Sequence, residues 1–86
     1  MSRHHEKAVT MIERQIGQIR TSNYPNGDFC QGMIQANYAQ GHIDEQQVER
    51  YEQMAMDAVL DRRRELHAVD IARKLGAYRQ LHGDAA

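Results

Sequence analysis

The chain has 86 residues, a net charge of −1 from 11 basic and 12 acidic side chains, and a single cysteine. Fifteen Leu, Ile, Val and Phe residues leave room for one domain, spanning residues 1–86, with a thin core that Ala, five Met and four Tyr help to fill. The near-neutral balance argues against a highly charged disordered chain and against a surface devoted to nucleic acid. Cys30 alone makes neither an intrachain disulfide nor a Cys₂His₂ zinc site. No apolar run approaches a membrane span, and Met1 to Lys7 lacks the apolar segment of a signal peptide, so a cytoplasmic protein is expected.

The first predicted helix begins after Ser2, a candidate cap. Val9, Ile12, Ile16 and Ile19 recur at helical spacing, Ala8 and Met11 widen the stripe, and Lys7, Glu13, Arg14 and Arg20 occupy the other side. The helix ends before Tyr24-Pro25-Asn26-Gly27, a strong turn sequence because Pro fixes φ and Asn and Gly tolerate positive φ. Asp28 opens the second helix, and Gln31 three residues on fits a reciprocal capping box. Phe29, Met33 and Ala36 lie on one face, with Cys30, Ile34 and Tyr38 beside them. That wide apolar girth predicts the most enclosed of the helices, closed by Gly41 in a left-handed conformation.

The third helix has the strongest start signal. Asp44 caps, Gln47 reciprocates, and Ile43 and Val48 form a hydrophobic staple. No Gly or Pro interrupts residues 44–75, and Val48, Tyr51, Ala55, Val59, Leu66 and Val69 mark an apolar side. Ile71, Leu75 and Tyr78 continue it out of phase. A helix reaching Leu81 is about 55 Å long, more than two shorter helices can cover. Either it breaks near Asp70, or it stays whole and a second subunit covers the remainder. The lack of a breaker favours the whole helix. The fold class is therefore all-α, with a hairpin of two shorter helices packed against a long third.

Charge along that helix is polarised. Residues 44–61 carry net −5 and residues 62–82 net +4. This pattern complements the helix macrodipole, and it also suits antiparallel pairing of two copies through Val59, Leu66, Val69 and Leu75. Arg62, Arg63, Arg64, Arg73 and Lys74 are the candidate contacts for a partner, and the same cluster with the second and third helices gives the alternative of a nucleic-acid-binding regulator. Aromatic residues do not interleave with it, which weighs against single-strand recognition.

Other chemistry is sparse. His4, His5 and Glu6 are consecutive, so they point apart on a helix, and Val9 stands where a zinc-binding HExxH pattern needs its second His. His67 and Asp70 can share a face, but no nucleophile stands near them in sequence. Cys30 sits where a helix N-terminus lowers a thiol pKa, yet its apolar neighbours point to a buried, inert thiol. Tyr24 and Asn26 in the turn are candidate contact residues. Catalytic, cofactor and metal residues are not expected.

The segment Met33 to Ala55 resembles the helical hairpin of short bacterial SHOCT-type domains in Ile34, Gly41, Ile43, Asp44, Val48 and Tyr51. These are the residues any capped helical hairpin requires. The short, motif-free, near-neutral chain also resembles small phage and mobile-element proteins that bind host proteins, including inhibitors of defence systems. The expected function is a non-enzymatic module that binds, and regulates or inhibits, a larger protein while working as a homodimer.

Overall fold

The computed structural model describes residues 3–81, with side chains through residue 77. The architecture is all-α: α1 spans Arg3–Thr21, α2 spans Asp28–Ala39 and α3 spans Glu45–Leu81. Ser2, the expected cap of α1, lies outside the described residues. The two shorter helices pack on the first half of α3, and all three pairs of helices touch. The helical stripe of α1 buries Ala8, Ile12, Ile16 and Ile19. Cys30 and Ile34 enter from α2, Ile43 from the connection, and Tyr51, Ala55, Ala58 and Val59 from α3. Val9, Met33, Val48 and Met54 close the edges.

Among the described residues no polar or charged side chain is buried, so apolar packing alone fills this core. Tyr51 is the largest side chain inside it. Its ring is enclosed while its hydroxyl donates to Glu13 at 3.3 Å, the usual arrangement for a tyrosine that needs one wet end. Burial first, then the nearby Glu13 charge, push that hydroxyl's pKa up.

The connection between α2 and α3 forms as expected. Gly41 has φ +76°, the His42 N–H donates to the Asn37 carbonyl at 2.9 Å, and the Gly41 N–H donates to Tyr38 at 2.9 Å. These two bonds make a Schellman ending, which satisfies carbonyls that a helix C-terminus leaves open. The capping box follows directly. The Gln47 N–H donates to Asp44 Oδ1 at 2.8 Å and the Asp44 N–H donates to Gln47 Oε1 at 2.9 Å. Ile43 is buried and Val48 packs on the same core, completing the staple.

Two expectations need correction. The Asp28–Gln31 box does not form. Gly27 occupies the cap position without a side-chain bond, and the Asp28 N–H donates instead to Asn26 Oδ1 at 2.7 Å. An Asx turn two residues upstream thus takes the donor that a box would have used. Secondly, α2 is not the most enclosed helix. Only Cys30 and Ile34 are buried, and Phe29 is 67% exposed, because α1 and α3 both lie on one side of α2. The whole α3 favoured by the lack of a breaker is what the structure has, and the alternative break near Asp70 does not occur. The chain runs through that position as helix, and Asp70 pairs with Lys74 at 3.1 Å one turn on. The molecule is accordingly long, 65 × 18 × 16 Å.

Candidate functional site

The apolar residues of α2 that miss the core face a groove. Phe29, Met33 and Ala36 recur at steps of four and three, so they share one side of α2. Ala8 and Met11 of α1 stand opposite, and Gly32 keeps the space between them open. A Cβ on Gly32 meets nothing within 4 Å, so this glycine is not required by packing. The groove has a volume of about 700 Å³. Phe29 and the 49%-exposed Met11 are its most accessible large apolar side chains.

Polar groups frame its ends. Lys7 and the His4–His42 pair stand on the rim, and Asp28 also lines the groove. The His4 and His42 rings stack with centroids 5.1 Å apart and planes 10° from parallel. The His42 carbonyl bonds His5 Nδ1 at 2.8 Å, and the His42 ring bonds Asn37 Oδ1 at 3.2 Å. These contacts tie the start of α1 to the α2–α3 connection and fix the groove's width there.

The sequence-based candidates are scattered. Tyr24 is 90% exposed and Asn26 is exposed, though its side-chain oxygen is committed to the Asx turn. Arg62 is half-buried and structural. Its Nε donates to the Ser22 carbonyl at 2.8 Å, and its guanidinium pairs with Glu65 at 3.0 Å, so it fastens α3 to the end of α1. Arg63, Arg64 and Arg73 are exposed, as is Lys74. Consecutive arginines diverge by about 100° on a helix, so Arg62–Arg64 do not make one basic face. Arg63 and Lys74 do share a side, about 16 Å apart along the axis. Lys74 is paired with Asp70, and Arg64 lies 3.8 Å from Asp61.

The expected self-association stripe divides in two. Val59 is 8% exposed, closed over by its own α1–α2 body, and Leu66 is half-buried. Val69 and Leu75 are exposed. Leu75 lies about half a turn round the helix from Leu66, so the two cannot serve one seam. The out-of-phase residues in the sequence were the sign of this second side.

Cys30 is fully buried, and burial pushes its thiol pKa up rather than down. Among the described residues no group of three or more His, Cys, Asp and Glu side chains could hold a metal ion. No described helix is long and apolar enough to cross a membrane. Periodicity alone does not reveal the groove: its signal in the sequence is the apolar girth of α2, which reads equally as core.

Comparison with known proteins adds no relative: no family model matches the chain, and no curated protein or solved structure is significantly similar to it.

Proposed function

We propose that this protein is a non-enzymatic binding module that regulates or inhibits a larger protein, gripping it in the α1–α2 groove. The observation that carries the reading is the uncovered Phe29, with Met11 and Met33 beside it, in a groove of about 700 Å³. A soluble chain with so few large hydrophobes gains stability by burying them, and these lie outside its own core. Met adapts to irregular apolar surfaces, and an aromatic ring is the commonest anchor of an interface. Lys7 in the groove lining favours an acidic residue flanking the partner's apolar anchor.

The finer parts of the reading are a cytoplasmic location, action as a homodimer and carriage by a phage or mobile element. They rest on the single free Cys30, on the long third helix and on the small, motif-free character of the chain. Affinity capture tests the central claim. The tagged wild-type chain should retain one host protein in stoichiometric amount, and Phe29→Glu, with unchanged helix content, should lose it. Equal capture by both chains overturns the groove as the site. A salt-sensitive shift of duplex DNA, lost on replacing Arg63 and Lys74 with Glu, overturns the protein-binding reading in favour of nucleic acid.

A further inference from the structure

The back of α3 carries a second apolar stripe, made of Met56, Leu60, Ile71 and Leu75. All four are between 44% and 53% exposed. At 3.6 residues per turn they fall in a sector of about 100°, nearly opposite the side of α3 that packs on α1 and α2. The stripe is about 28 Å long, and it runs past the end of the body onto the projecting half of the helix.

Its spacing is four, eleven and four, which reads the same in both directions. A two-fold axis midway between Glu65 and Leu66 therefore sets Met56 opposite Leu75 of a second copy and Leu60 opposite the second Ile71, each pair occurring twice. The body sits on the other side of α3 and meets nothing in this arrangement. The charges fit the same register. Asp70 and the second copy's Arg63 fall on one flank of the seam, about 3 Å apart along the axis, and this pairing occurs twice.

We propose that a second copy of this chain covers the stripe as an antiparallel pair of α3 helices, with the two bodies at opposite ends. Arg64 and His67 occupy the middle of the seam, where the long Arg stem lies along apolar surface and its charge stays in water. The pairing deepens the binding-module reading by giving one assembly two outward grooves. It fails separately from that reading, because capture is read with Phe29→Glu and pairing with the stripe.

Sedimentation equilibrium on the full chain, over a micromolar concentration series, should show a mass of twice 9.9 kDa at the upper end. Leu60→Glu with Ile71→Glu, both on exposed positions, should hold the mass at one chain throughout while leaving the helix content unchanged. Orientation is read by oxidising a mixture of Leu60→Cys and Ile71→Cys chains, which should link to each other. Either variant alone should not, because identical positions lie about 16 Å apart along the seam and a disulfide needs Cα atoms within about 7 Å. A wild-type monomer at all concentrations overturns the proposal. So does a dimer that survives the double Glu variant, or a Leu60→Cys chain that links to itself.

Discussion

Asp44 and Gln47 show how much two side chains settle. Each accepts the other's backbone N–H, so two of the four donors that open α3 are satisfied at once. Asp44→Ala should lower stability by about 0.5–2 kcal/mol in urea unfolding. Asp28 has the same residue type and the same spacing to Gln31, and no box forms there, because Asn26 reaches the Asp28 N–H first. The Asp44 box was legible in the sequence and the Asp28 box misleading for one reason: a local hydrogen bond forms only where no nearer acceptor competes. Cys30 gives a prediction in pH. Its buried thiol holds its proton more tightly than in the unfolded chain. The stability this contributes is complete below the ordinary thiol value of about 8.5 and is lost as pH rises through the raised folded value. Alkylation of Cys30 should accordingly be slow in the native protein at pH 8 and fast in denaturant.

The three helices differ in how much of each is used. α1 is a one-sided helix, and its apolar periodicity coincides with the buried set Ile12, Ile16 and Ile19. α2 is apolar on two sides, of which only one is packed. Periodicity reports that a face is apolar and is silent on whether anything lies against it, which is why the groove was not legible. The same holds for α3, whose continuity was legible from the lack of breakers but whose apolar residues serve two opposite sides. Gly17 is the weak point of α1. A Cβ added there meets nothing within 4 Å, so Gly17→Ala should stabilise the protein by about 0.5–1 kcal/mol, raising the thermal midpoint without altering partner capture. A fall in the midpoint shows that the α1 surface around Gly17 is already occupied.

At the scale of the whole molecule the radius of gyration is 18.8 Å. A compact chain of this length has a value near 12 Å. The excess comes from α3, because burial along it falls away beyond Leu66. Small-angle scattering on the Leu60→Glu, Ile71→Glu chain should give a radius of gyration close to 19 Å. A value near 12 Å means that the projecting half folds back on the body.

The corner between α2 and α3 also carries a temporal consequence. Its Schellman bonds, Gly41 and the capping box all join residues within a few positions of one another, so they need almost no loop closure. Closing a loop of about ten residues takes tens of nanoseconds, far less than bringing α1 onto its partners across the turn at Pro25. The α2–α3 corner is therefore the expected nucleus of folding. Gly41→Ala, strained at positive φ by about 1 kcal/mol, should slow refolding. Ile12→Val in α1 should instead speed unfolding and leave the refolding rate nearly unchanged. The corner that positions the groove's His42 is thus assembled before the groove's other wall arrives.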